Sequence, residues 1–401
     1  MFTAIPFYLF GIKNVECQSV EYGDKKIIFH AEMSRANPCC PCCQGKNVYF
    51  RGQKMRKLRM VPWGTMQCFL YLTLSRISCH DCNKSTWPFL DFVQGKQRMV
   101  RAFVQYVLSL ITMGTILGVA RFLGVGWDLV KSIHKEHLKN QYKNIDFENL
   151  MFLSIDEFSI RKGHNYMTIF VDIRTGQVIH AVEGRSKSDI IPFLRELATK
   201  AKNLKAIAMD MSGSFELAVR STLPKVDIVF DHFHVNALIN KALDEIRRQQ
   251  QNRLEHTSKK VIKGKRFLLL KNYNSLDKCA KDGLQALLDV NTPLLIAHTL
   301  KEQFRMFWEQ PTLEKASSFL VRWLWDVYES GLEPMIKVGK TLLNHAEGLV
   351  NYFKYRISNG KIEGINNKIK TMSRQAYGFR DMEYFKLRLL HLHEQKHSLT
   401  G

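Results

Sequence analysis

Apolar and polar positions change period several times along this chain, and each change marks an element. In KKIIFHAEM the two classes alternate, as in a strand with one buried face. Two more strand-like segments follow, KMRKLRMVPW and MQCFLYLTLSRISC, before residues 95–142 turn to a helical period. From Leu150 three short apolar runs, MFLSIDEF, NYMTIFVDI and GQVIHAVEG, are separated by turn-like GHN and RTG, which predicts a three-stranded antiparallel meander. SDIIPFLRELATKAKN predicts an amphipathic helix capped by Ser188 or Asp189. KAIAMD and VDIVFD read as a fourth and a fifth strand around the helix GSFELAVRSTL. From about Val235 to Tyr352 the pattern is helical throughout; Phe319, Leu320, Trp323, Leu324, Val327 and Tyr328 recur at helical spacing.

Three meander strands followed by helix, strand, helix, strand is the order of a ribonuclease-H-like α/β fold, because crossover helices require the later strands to pair parallel with the first. The expected architecture is therefore multidomain α+β. Strands and a cysteine-rich ribbon fill 1–92, and a helical DNA-reading module 93–145. A first part of the α/β core occupies 146–234, an all-helical insertion 235–352 and the closing helices 353–401.

Charge narrows the partner. Lys and Arg outnumber Asp and Glu by 59 to 37, for a net charge of +22 on 401 residues. A folded chain this basic suits a polyanion, double-stranded DNA before an anionic membrane. The uncharged stretch Ala102–Ala120 is long enough to span a bilayer, but Gln105, Tyr106, Ser109, Thr112, Gly114 and Thr115 interrupt it, so no membrane partner is expected. The apolar opening MFTAIPFYLFGIK has no basic leading region and no small-residue cleavage site; it reads as a strand or packing arm, and a cytoplasmic, nucleoid-associated protein is expected.

Of the nine cysteines, seven fall between Cys39 and Cys82. In a reducing compartment that clustering points to metal. Cys40/Cys43 and Cys79/Cys82 form two Cys-x-x-Cys knuckles, enough thiolates for one structural zinc, with Cys39/Cys42 as a competing first frame. The segment between the knuckles is basic, and Arg56, Lys57 and Arg59 are candidate DNA contacts; a solvated strand face is the plainer alternative. TILGVARFLGVGWDLVKSIHKEHL fits a helix-turn-helix, with Ala120 in the first helix, Gly124 at the turn and Trp127–His137 as the reading helix. Lys131, His134 and Lys135 would then face DNA; a plain helical hairpin is the alternative. Ten Lys and Arg between Lys241 and Lys271 make either a solvated helix face or a DNA-tracking groove.

Three acids stand where a metal-dependent phosphodiester chemistry needs them. Asp156 ends the apolar run MFLSID, Asp210 ends AIAMD, and Glu363 lies at the start of a helix in SNGKIEGINNKIK. Two strand ends and a helix face can hold two divalent cations, magnesium or manganese, for in-line attack at phosphorus. Ile362, Ile365, Ile369 and Met372 form an apolar stripe on that helix. Glu363, Asn366, Lys370 and Arg374 fall on another face, where Lys370 and Arg374 would meet phosphate oxygens. Asp231 and His234, in DHFH after the fifth strand, are auxiliary candidates. His234 could equally be a core histidine, and Asp231 is the alternative to Asp210 as second acid.

With CPCC and CHDC, then LSIDEFSIRKGHNYMTIFVDIRTGQV, AIAMDMSGSF, IVFDHFHV and SNGKIEGINNKIKTMSRQAYGFRD, the chain resembles the ISL-three family of bacterial insertion-sequence transposases over nearly its whole length. The resemblance implies a DDE recombinase with Asp156, Asp210 and Glu363 as its acids. It also implies binding to terminal inverted repeats and target DNA, strand cleavage followed by 3′-hydroxyl strand transfer, and a dimer or larger assembly on DNA. A ribonuclease-H-like nuclease or resolvase without strand transfer would use the same acids, and a non-catalytic DNA-binding regulator would need only the N-terminal half.

Overall fold

A computed structural model describes residues 11–35, 38–161, 165–253, 262, 264–289, 291–357 and 360–394. These residues form two compact units, divided after Gln141. The opening arm, the GHN turn and part of the Lys241–Lys271 run lie outside the described residues in whole or part.

The N-terminal unit is built on a sheet of β1 (Val15–Gly23), β2 (Lys26–Met33), β3 (Val48–Arg59), β4 (Gln67–Cys79) and the short β5 (Ser85–Thr86). The order is β1-β2-β4-β3 with β5 on the far end of β4; β2 and β4 run parallel, and the other pairs antiparallel. Alternation along β4 buries Cys68, Leu70, Leu72 and Leu74 on one face. Helices α1 (Arg101–Ile111), α2 (Ile116–Leu123) and α3 (Trp127–Gln141) pack Phe103, Val107, Ala120 and Val130 into that same core. Sheet and helices thus share one core across the border expected near residue 92. Thr115 caps α2 by accepting from the Gly118 amide at 3.0 Å, and Gly124 ends it with a left-handed φ of 63°.

The second unit holds β6 (Phe152–Arg161), β7 (Asn165–Asp172), β8 (Val178–Glu183), α4 (Lys187–Lys200), β9 (Ala206–Met209), α5 (Gly213–Thr222) and β10 (Asp227–Phe230). The sheet order is β10-β9-β6-β7-β8, with the meander antiparallel and β6, β9 and β10 parallel. Two expectations need correcting. The cap of α4 is Ser186, which accepts from the Asp189 amide while the Asp189 carboxylate accepts from the Ser186 amide at 2.9 Å. Ser186 and Asp189 have the three-residue spacing of a capping box. Asp156 does not end its strand: β6 continues to Arg161, still paired with β7. The apolar run stops at Asp156 because its other neighbour, β9, ends at Met209 and leaves that edge of β6 open.

Beyond β10 run α6 (His232–Arg253), α7 (Arg266–Leu270), α8 (Lys278–Asp289), α9 (Thr292–Phe307), α10 (Leu313–Glu329), α11 (Glu333–Asn344) and α12 (Ala346–Tyr355). Their buried faces, with Phe304, Phe307, Leu320 and Trp323, join one continuous core with Leu153, Ile155, Ile207 and Met209 of the sheet. α12 is fastened to β10: Asn351 Nδ2 donates to the Ile228 carbonyl at 3.0 Å, and Lys354 and Tyr355 both reach Asp227 at 2.6 Å. The other sheet face carries Phe152, Ala206, Ala208 and Val229 against Tyr352, Tyr355 and Ile357. The chain closes with α13 (Gly360–Gln375) and α14 (Met382–Leu390). Ile362, Ile365, Ile369 and Met372 of α13 are buried, as their spacing predicts, and Phe385 of α14 meets Phe158 edge-on.

Candidate active site and zinc centre

Register brings the acids together. Phe152 pairs with Ala206 and Ser154 with Ala208; two residues further, the same parallel offset sets Asp156 beside Asp210. Phe230 pairs with Met209, and the Asp231 amide donates to the Met209 carbonyl at 3.1 Å, so Asp231 flanks Asp210 on its other side. All three keep the parity of Ser154 and Ala208 and emerge on one face, since side chains alternate along a strand. Ser154 Oγ donates to the Ala208 carbonyl at 3.2 Å on that face. Asp231 also directly precedes the N-terminal turn of α6, and Asp210 lies three residues before α5, where the helix dipole favours negative charge.

His234, on the first turn of α6, sets Nδ1 3.1 Å from Asp231 Oδ2 and 2.8 Å from Asp210 Oδ1. These two carboxylates draw its pKa up to about 10. His234 is thus half-exposed and joined to both acids, which removes the core-histidine alternative. The side chains of Asp210, Asp231 and His234 lie within 4.8 Å of one another. Asp156 sits at the edge of the same cluster. Its pKa is raised, first by burial and then by the Asp210 charge, against the opposing hydrogen bond from Asn366.

Glu363 lies exposed in the first turn of α13. One turn on, Asn366 Nδ2 donates to Asp156 Oδ2 at 2.6 Å, which anchors that helix face against β6; Glu363 itself lies on that face, three residues before Asn366, and outside the close cluster of Asp210, Asp231 and His234. Lys370 and Arg374 continue down the helix and are exposed. The site fits divalent cations on two grounds. Asp156, Asp210 and Asp231 share one face of the sheet, with His234 paired to the last two. In addition, two buried oxygens, Asp210 Oδ1 and Asn366 Oδ1, have no hydrogen-bond donor among the described residues; the His234 contact to the former has ion-pair distance without hydrogen-bond alignment.

In the N-terminal unit the turn before β3 and the end of β4 bring Cys40, Cys43, Cys79 and Cys82 within 4.8 Å of one another. Cys40 and Cys82 are 3.6 Å apart at sulfur, as are Cys43 and Cys79. Four thiolates about 2.3 Å from a tetrahedral zinc stand about 3.8 Å from one another, so the cluster has the size of a structural zinc site. Cys39 and Cys42 are exposed and outside it, which sets aside the competing frame. 

The candidate DNA contacts divide. Lys57 is exposed, over the Tyr71 ring at 4.8 Å, and Arg56 is tied to the Gln97 carbonyl at 2.7 Å. Lys131 and Lys135 are half-buried on α3. Arg59 and His134 are corrected. Arg59 is 8% exposed and donates to Gln67 Oε1 and the Leu123 carbonyl, both at 2.8 Å. It lies where β3 dips under the helices, so its charge ties sheet to helix. His134 is 3% exposed, in the buried stripe of α3 with Val130, Ile133 and Leu138. Asn366 is the site residue that spacing alone left without a role; its position three residues past Glu363 on the same face was the available signal.

Comparison with known proteins places the chain in one class. A transposase profile of the DDE type matches residues 153–389, and a second, described as the zinc-finger of transposase IS204/IS1001/IS1096/IS1165, matches residues 36–82. The class is that of insertion-sequence transposases. The chain belongs to the ISL3 family of these enzymes. It is 30% identical to the transposase for insertion sequence element IS1001 of Bordetella parapertussis, over 87% of each chain. It is 24% identical to the transposase for insertion sequence element IS1557 in two strains of Mycobacterium tuberculosis, over 97% of this chain and 94% of the relative. The Drosophila P element transposase strand transfer complex aligns with a TM-score of 0.37 and 10% identity, over 74% of this chain and 92% of that one, a likeness too weak to build on. Among the described residues no helix is long and apolar enough to cross a membrane.

Proposed function

We propose that the second unit is a ribonuclease-H-like DDE catalytic core. In this reading Asp156, Asp210 and Glu363 hold two divalent cations, magnesium or manganese, with Asp231 and His234 as auxiliary groups. The observation that carries the reading is the register that sets Asp156 beside Asp210, joined to the hydrogen bond that lays the Glu363 helix against Asp156. Bound there, the cations supply Lewis acidity for attack at phosphorus and charge for the departing oxygen. The protein's own part is placement. β6 and β9 fix two carboxylates on one face, α13 brings the third, and His234 steadies Asp210 and Asp231. Lys370 and Arg374 lie exposed along α13, where they would take phosphate oxygens of the DNA. The N-terminal unit, through its zinc ribbon, Lys57, Arg56 and the face of a helix-turn-helix formed by α2 and α3, would read terminal inverted repeats. Cleavage at each end and transfer of the 3′-hydroxyl into target DNA follow, in a dimer or larger assembly because two ends are joined.

The test is Asp156→Asn, Asp210→Asn and Glu363→Gln, each assayed for metal-dependent cleavage of terminal-repeat DNA. Each is expected to abolish cleavage and leave end binding intact. Wild-type cleavage by any of the three removes that residue from the metal site. If Asp231→Asn kills cleavage while Asp210→Asn does not, the second acid is Asp231.

A further inference from the structure

Asn366 does more at this site than dock a helix. Both Asp156 oxygens are already engaged: Oδ1 accepts from the Glu157 amide at 2.8 Å and Oδ2 from Asn366 Nδ2 at 2.6 Å. The opposite amide orientation would set oxygen against carboxylate, so the orientation of Asn366 is fixed by chemistry. Its carbonyl half is then left over. Asn366 Oδ1 is buried and, among the described residues, has no donor. A buried acceptor left that way costs about 1–3 kcal/mol, and α13 holds it there between the anchors Ile362, Ile365 and Ile369. A helix needing only a bond to Asp156 could make it with a group that strands no oxygen.

We propose that Asn366 is a positioning residue for the metal site, an inference that rests on the acid assignment above. Nδ2 fixes the Asp156 carboxylate, and Oδ1 accepts a hydrogen bond from water carried by the cation. Divalent magnesium and manganese keep several of their waters when bound by carboxylates, so the donor that Oδ1 lacks arrives with the ion. Partners of this outer kind orient the ligating groups and raise affinity without touching the metal.

The experiment uses the full-length protein without DNA and reads Mn²⁺ binding from the loss of the free-ion electron paramagnetic resonance signal. Asn366→Ala removes both polar atoms, and Asn366→Leu does so while keeping volume. Both are expected to weaken Mn²⁺ binding about tenfold or more, with metal-free melting and terminal-repeat binding unchanged. Mn²⁺ affinity within about twofold of wild type in both variants would overturn the proposal. So would loss of cooperative metal-free melting in both, which would make the role one of packing alone. Asp156→Asn separates this inference from its premise. If Asp156→Asn itself binds Mn²⁺ like wild type, the acid assignment falls. If it loses binding while the Asn366 variants do not, only the role of Asn366 falls.

Discussion

Arg59 offers the sharpest test of how charge is used in the N-terminal unit. By sequence it belongs to a basic strand that would meet DNA; in the structure it is buried and bonded at both terminal nitrogens. Each of those hydrogen bonds from a charged donor is worth about 1.5 kcal/mol. The guanidinium lies 4.6 Å from the Phe69 ring centre and 5.6 Å from that of Phe103, which adds about 1 kcal/mol. Against this stands the burial of the cation, which lowers its pKa, and an Nε with no partner. Arg59→Ala should therefore cost about 2–3 kcal/mol and lower the melting temperature of this unit by on the order of 10 °C. Calorimetry of the full-length protein reads that shift. The discriminating measurement is the salt dependence of terminal-repeat binding below the melting transition. A residue that touches no phosphate releases no counterion, so Arg59→Ala should leave the log–log slope unchanged. Exposed Lys57→Ala should lower the slope by about one and leave melting untouched. An Arg59→Ala protein that melts like wild type and loses one unit of slope would refute this assignment.

Three further outcomes are expected. Elemental analysis should find one zinc per chain, lost in Cys40→Ser and Cys79→Ser and kept in Cys39→Ser and Cys42→Ser; zinc retained by Cys79→Ser would exclude the proposed ligand set. A Cβ on buried Gly348 would collide with the Phe230 ring, so Gly348→Ala should destabilise the second unit by about 1–3 kcal/mol in denaturant unfolding; an unchanged midpoint would mean that α12 shifts freely on β10. Ser186→Ala should cost about 1 kcal/mol in the same assay and Ser188→Ala distinctly less, and the reverse order would restore Ser188 as the cap.

Much of the fold is legible in the sequence because its signals are local. The meander is written in alternation and turns, α13 in its isoleucine stripe, and the zinc ligands in paired spacing. What escapes depends on a distant neighbour. Asp156 reads as a strand end because apolar residues stop there, yet the strand runs on beside β7 after β9 has ended. Arg59 reads as surface because KMRKLR is basic throughout, while its burial comes from Gln67 on the neighbouring strand and from Leu123, 64 residues along the chain. His134 faces the core because α3 turns Val130, Ile133 and Leu138 inward, a stripe that mixes with the basic residues in sequence. Ser186 was legible, three residues before Asp189, and was masked by a second serine between them.

The fastening of α12 to β10 bears on when the protein becomes dangerous. Asp156, Asp210 and Asp231 are in place once the sheet is made, but Glu363 follows a helical block that shares the sheet's core and is tied to it at Asn351, Lys354 and Tyr355. On the reading given above, a ribosome must pass residue 363 before any copy can cut. A product ending before residue 360 would keep the DNA-reading unit and lack the third acid. Such a fragment would occupy the ends of the element without breaking them, so premature termination would turn the enzyme into its own competitor.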